Sequence, residues 1–181
     1  LDTLSQYREV FTFPIEDYYK RVGFDFDKIP FSMLAHEYME DYQEKSYACD
    51  LHSDVLDVVN KAKNLGFSQT VLSASKMDYL LKQMETLHVD DLFDSIYGIN
   101  DIYAKSKVEL AHAFKQTCSL DDEIYFVGDS VHDYEVAKNI GAKCILVTTG
   151  HQNRATLESV NVPVMDSLME SLDLIYERDK D

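Results

Sequence analysis

Glu123-Ile124-Tyr125-Phe126-Val127-Gly128-Asp129-Ser130-Val131-His132-Asp133 is the stretch that decides the fold. Its first half is β-branched and aromatic, which predicts a buried strand, and the Gly-Asp after it ends that strand. Asp133 then stands just ahead of a helix predicted over 134–140 and stopped by Gly141. A strand that runs into an acidic loop and then a helix is the repeating form of a βαβ unit.

Outward from this stretch, residues 51–181 alternate strand-type runs with helical patterns. Val55, Leu56, Val58, Val59, Ala62 and Leu65 recur at the spacing of one helix face and predict a helix over 54–65, with Gly66 as its stop. Gln69-Thr70-Val71-Leu72 predicts a strand ending at Ser73; a helix over 77–87 and a short strand over 95–97 come next. The next helix, over 106–116, opens on a capping box in which Ser106 caps and Glu109 reaches back. Lys143-Cys144-Ile145-Leu146-Val147 is a second buried strand, followed by a short helix over 155–160, a strand over 162–165 and a last helix over 167–177. Strands alternating with helices require right-handed crossovers and a sheet covered on both faces. The expected fold class is therefore α/β, a doubly wound parallel sheet.

Residues 1–50 have a different texture. Helical patterns rich in Tyr and Phe cover 5–21 and 32–45, separated by Gly23-Phe24-Asp25-Phe26-Asp27 and Ile29-Pro30, with no strand pattern. A small helical cap over 1–50 on an α/β core over 51–181 is the expected organisation.

With 17 Lys+Arg against 33 Asp+Glu, the 181-residue chain carries a formal charge of −16. Such a balance argues against nucleic acid or an anionic membrane as partner, since both need a cationic footprint. A small anionic substrate would need a local cation to offset the same field. Three cysteines (Cys49, Cys118, Cys144) without framework spacing speak for a reducing compartment. No apolar run is long enough to span a membrane and no signal peptide precedes the first helix, so a cytoplasmic location is expected.

Ligands of an open parallel sheet bind beyond the carboxyl ends of its strands. Ser73, with Ala74 behind it, offers a hydroxyl and backbone N–H groups that hold an anion at a helix N-terminus; equally, Ser73 and Ser75 serve as plain N-caps. Asp129 and Asp133 are hard oxygen donors at a strand end and suit Mg²⁺, which takes one or two carboxylates and completes its shell with water and phosphate oxygens. The alternative is structural, with Asp133 capping a helix and Asp129 forming an Asx-turn. Lys107 falls in the first turn of a helix, where the macrodipole disfavours a cation unless an anion lies nearby; Lys105 competes for the same role, and the alternative for either is an ordinary solvated surface lysine. His132, inside the acidic loop, reads either as a base or as an incidental surface residue, and His36, His52, His88, His112 and His151 form no zinc-type spacing and are given no role.

Taken together, Ser73, Lys107, Gly128-Asp129-x-x-x-Asp133, Gly141-Ala142 and Val147-Thr148-Thr149-Gly150 resemble the haloacid dehalogenase superfamily of hydrolases, in its phosphoglycolate-phosphatase-like branch with a helical cap. The resemblance covers nearly the whole chain. It implies a Rossmann-like core and a Mg²⁺-dependent phosphatase acting on a small phosphorylated metabolite. Catalytic roles would fall to Ser73, Lys107 and Asp133, phosphate binding to Ser73, Ala74 and Lys107, and the metal to Asp129 and Asp133. Val108 stands where the family usually has Pro after the lysine. A phosphomutase or a dehalogenase on the same scaffold, or a non-catalytic Mg²⁺- or phosphate-binding protein, are the alternatives.

One element of the family pattern has no counterpart. The family's nucleophile ends a central strand in Asp-x-Asp-Gly-Thr, whereas Leu1-Asp2-Thr3 resembles the tripeptide just after that motif, at the start of the cap. Phe24-Asp25-Phe26-Asp27 imitates the motif inside the cap. Without that strand two parallel edges would carry unpaired backbone groups, at about 1–3 kcal/mol for each one left unsatisfied. The resemblance therefore predicts a nucleophile strand of roughly 10–15 residues upstream of Leu1 in the intact protein.

Overall fold

A computed structural model describes residues 1–99 and 106–180, apart from the side chains at positions 40, 43 and 44. Three helices come first: α1 (Leu4–Val10), α2 (Ile15–Arg21) and α3 (Phe31–Ser46). The helix predicted over 5–21 is thus two helices. Pro14, which has no N–H to donate, cannot continue α1 and instead stands as the N-cap of α2. Aromatic rings tie the three helices together, with Tyr19 against both Phe24 and Phe31 and Phe11 against Tyr18. The Asp25–Asp27 segment is a turn in which Asp25 Oδ1 accepts from Asp27 N–H at 3.1 Å.

The α/β part continues as α4 (Val55–Asn64), β1 (Thr70–Lys76), α5 (Met77–Thr86), β2 (Ser95–Ile99), α6 (Lys107–Lys115), β3 (Tyr125–Gly128), α7 (Val131–Ile140), β4 (Lys143–Val147), α8 (Arg154–Glu158), β5 (Val164–Met165) and α9 (Leu168–Arg178). The described strand pairs are all parallel. Two ladders result, β1–β2 and β3–β4–β5. Helices cover them through apolar clusters: Leu80, Met84 and Val89 pack with Val71 and Ile96 on one side, and Ala137, Cys144, Leu146 and Leu157 with Phe126 and Val164 on another.

A third cluster links the two ladders. Ala111 of α6 and Val136 and Ile140 of α7 are packed by Leu72 from β1 and by Ile124 and Phe126 from the β3 side. Strands β1 and β3 therefore border the same core without pairing with each other. Val127, in the middle of the apolar β3 run, is 37% exposed, unlike the fully buried Ile145 and Leu146 of β4. Among the described residues, no strand pairs with the second edge of β1 or of β3.

Strand β1 is longer than the sequence pattern predicts. Its pairing with β2 shifts register after Leu72 and resumes at Lys76 opposite Ile99, so Ser73 and Ala74 lie at an irregularity within the strand, and α5 starts only at Met77. Asp54, read as the start of α4, also caps a distant helix: its Oδ2 accepts from Leu168 N–H at 3.0 Å at the head of α9. No described helix is long and apolar enough to cross a membrane.

Candidate functional site

The acidic loop is built by hydrogen bonds that its own sequence supplies. Ser130 is the N-cap of α7 and accepts from Asp133 N–H, while Asp133 Oδ2 accepts from Ser130 N–H at 3.1 Å, closing a capping box. The same Oδ2 also takes the Ser130 hydroxyl at 2.7 Å and Asp129 N–H at 3.0 Å. Helix α7 consequently begins at Val131, earlier than the apolar pattern alone predicts. Gly128 lets this happen, because a Cβ there would overlap the Asp133 side chain.

Asp133 is 2% exposed, and its other oxygen, Oδ1, lies 2.5 Å from Lys107 Nζ. Here is the anion that a cation in the first turn of α6 requires. Burial pushes the Asp133 carboxyl up, but the Lys107 ammonium and the bonds from Ser130 and Asp129 outweigh it and hold the group below the usual carboxylate range. Lys107 also lies 5.6 Å from the centre of the Phe126 ring. Lys105, the competing lysine, lies outside the described residues.

Asp129 is only half-buried. Its Oδ2 accepts from His151 N–H at 2.9 Å, in the loop after β4. Gly150 presses against the same carboxylate, and a Cβ at that position would overlap it. Gln152, 5% exposed, reinforces the contact by accepting from Val131 N–H at 2.7 Å at the head of α7. Two loops at the carboxyl ends of neighbouring strands β3 and β4 are thus locked together around Asp129.

Helix α1 covers this junction. Tyr7 Oη and His151 Nδ1 share a 2.7 Å hydrogen bond, and Phe11 stacks on the same imidazole with ring centres 4.9 Å apart. Arg8 donates to the Thr149 carbonyl at 3.0 Å, and Asn153 donates back to the Arg8 carbonyl at 3.3 Å. Burial, then Tyr18, Tyr38 and Asp129, hold the Tyr7 phenol well above its ordinary value, so it stays protonated. Nothing in the sequence marked His151 or Gln152, because their roles depend on which loops meet; the aromatic density of residues 7–19 was the available clue. His132 is half-buried, 3.4 Å from Glu135 and beside Phe13.

The structure therefore joins Lys107, Asp129 and Asp133 around one loop and gives Ser73 a separate environment. Ser73 Oγ accepts from Ser75 N–H at 3.1 Å within β1, and no hydrogen bond links it to the other three. Ala74 stands beside it, still inside the strand, and the next helix begins at Met77, as the sequence pattern predicts. Among the described residues, no group of three or more His, Cys, Asp or Glu side chains converges on a metal position. A Mg²⁺ ion fits this donor set through Asp129, whose carboxylate is half-exposed at the strand end, since that ion keeps several waters and needs only one or two carboxylates. Asp133 Oδ1 is held by Lys107 and its Oδ2 by the loop.

A parallel α/β core with an acidic loop at its strand ends, roofed by aromatic helices, is the class of protein that fold and site define. Residues 3–147 match the model of the haloacid dehalogenase-like hydrolases, and the chain belongs to that family. Among solved structures, a haloacid dehalogenase-like hydrolase from Streptococcus pneumoniae superposes with a TM-score of 0.81 at 20% identity, over 97% of this chain and 82% of that one. A predicted phosphatase from Clostridium acetobutylicum gives 0.77 at 20% identity, over 98% and 83%. CbbY from Rhodobacter sphaeroides, in complex with phosphate, gives 0.59 at 15% identity, over 78% and 66%. At these identities the likeness is one of fold. No curated protein matches the chain.

Proposed function

We propose that this chain supplies the cap and the phosphate- and metal-binding side of a Mg²⁺-dependent phosphatase that hydrolyses a small phosphate monoester through an aspartyl-phosphate. The observation that carries this reading is the buried Lys107–Asp133 pair set beside a half-exposed Asp129 at the end of β3. Asp129 holds the cation. Bound Mg²⁺ would offset the charge of the substrate phosphate in a chain of net charge −16. Asp133 fixes the loop and orients Lys107, whose ammonium faces the phosphate oxygens. Ser73 and the backbone at Ala74 bind the phosphate from the β1 side.

The nucleophile comes from elsewhere. Both Asp133 oxygens are engaged, and one Asp129 oxygen is held by His151. The edges of β1 and β3 left unpaired among the described residues suit a strand that ends in the attacking aspartate, with a second acid to protonate the leaving group and then activate water. The cap excludes water and selects the leaving group.

The deciding experiment is hydrolysis of an aryl phosphate by the intact protein, with and without Mg²⁺. Phosphate release that needs the metal and is lost in Asp129→Asn supports the reading. Metal-independent release, or full activity in Asp129→Asn, overturns it. Binding of Mg²⁺ and phosphate without any turnover would instead favour the non-catalytic alternative.

A further inference from the structure

The contacts between α1 and the loop after β4 form a chain that ends on Asp129. Tyr7 and Phe11 hold the His151 imidazole from two sides, at 5.9 Å edge-on and 4.9 Å stacked. The Tyr7 hydroxyl fixes the ring's rotation through Nδ1. Arg8 and Asn153 pin the same loop to α1 on either side of His151. The backbone N–H of His151 then fixes Asp129 Oδ2, and Gly150 leaves that carboxylate no room to swing toward the loop. A residue of the cap and a carboxylate of the core are thus separated by one histidine.

We propose that Tyr7, Phe11 and His151 are positioning residues: the seating of helix α1 on the His151 ring sets the orientation of the Asp129 carboxylate, and with it the affinity for Mg²⁺. The inference rests on Asp129 being the metal ligand. A side chain fixed by several contacts presents its free oxygen in one direction, which cuts the entropy lost when a cation binds. If α1 lifts, the loop relaxes, His151 N–H withdraws and Asp129 gains rotamers. The cap then does more than cover the site, because its docked state is sensed by the metal ligand.

The test uses backbone amide NMR of the full chain, first without metal and then titrated with Mg²⁺ alone. In the metal-free protein, Tyr7→Phe and His151→Ala should speed exchange of the residue-151 amide by about two- to tenfold, the loss of one neutral hydrogen bond. Upon titration the same variants should weaken Mg²⁺ binding by a similar factor, read from the shifts of the Gly128–Ser130 amides. His151→Asn, which keeps a polar atom near the place of Nδ1, should recover part of both effects. Phe11→Leu keeps the buried site filled and guards against a variant that fails to fold.

Unchanged exchange at residue 151 in Tyr7→Phe and His151→Ala overturns the clamp, whatever the metal does. Faster exchange with an unaltered Mg²⁺ dissociation constant overturns the coupling. Should the wild-type protein show no Mg²⁺ shifts that Asp129→Asn abolishes, the metal reading of Asp129 falls and the coupling with it. The metal-free exchange result tells that failure apart from a missing clamp.

Discussion

Lys107 Nζ and Asp133 Oδ1 meet 2.5 Å apart, with the carboxylate side chain 3% exposed and the lysine 18%. Such a pair costs more to break than to build, because removing one partner leaves the other charge buried. Lys107→Met should therefore destabilise the protein by about 3 kcal/mol, the low end for buried pairs given the partly open lysine. Adding Asp133→Asn should cost less than the sum of the two single substitutions, which urea denaturation of the four proteins would measure.

Asp133 also predicts an acid limb. Its folded carboxyl titrates below the unfolded value of about 3.9, so it contributes stability above that pH and loses it as pH falls through the folded value. Stability curves of wild type and Asp133→Asn in EDTA should lie apart at neutral pH and converge below about pH 4. Parallel curves down to the acid end would contradict the assignment.

Much of this site could be read in the residues themselves. Gly128, Asp129 and Asp133 are close in sequence, and their chemistry is local, a strand end followed by a capping box. Lys107 was legible through a misfit, a cation at a positive helix end, and the structure supplies the missing anion. Ser73 was placed correctly on its strand but not at its end, because the ladder to β2 resumes at Lys76, and pairing of that kind is invisible in one strand's pattern. The break in the first helix lay in view at Pro14, but helical spacing on both sides of it masked the stop. His151 and Gln152 act through loop–loop contacts that no spacing encodes.

Gly150 offers a sharper test of Asp129 than replacing Asp129 itself. An added Cβ at position 150 would overlap the Asp129 carboxylate, and the backbone there is not one that glycine alone can adopt. Gly150→Ala should lower Mg²⁺ affinity about tenfold or more and also cost thermal stability, because the added methyl would overlap Asp129 Cβ as well, which cannot swing aside as a side-chain tip could. In an Asp129→Ala background the same change should have almost no further effect on Mg²⁺ binding.

Thiol labelling checks the core independently of catalysis. Cys49 is exposed, Cys118 half-buried with Sγ 3.5 Å from the Phe114 carbonyl, and Cys144 buried. Burial, and then the charge of Asp133, push the Cys144 thiol up to about 12. At pH 8 only about one molecule in ten thousand would carry that thiolate. Iodoacetamide should modify Cys49 first, Cys118 more slowly and Cys144 only after unfolding.

Ser73→Ala separates a binding role from a structural one. The hydroxyl's hydrogen bond is to Ser75 N–H at 3.1 Å inside its own strand, and Ser73 is only half-buried. Its removal should cost at most about 1 kcal/mol of stability, the worth of one neutral hydrogen bond. If the same oxygen also binds the transferred phosphate, turnover should fall by about a hundredfold, as it does when one preorganised donor is lost from a transition state. A loss of stability of about 1 kcal/mol with unaltered kcat and KM would assign Ser73 to shaping the β1 irregularity and leave Lys107 as the residue facing phosphate. Melting curves and phosphate release measured on one preparation would decide between these outcomes.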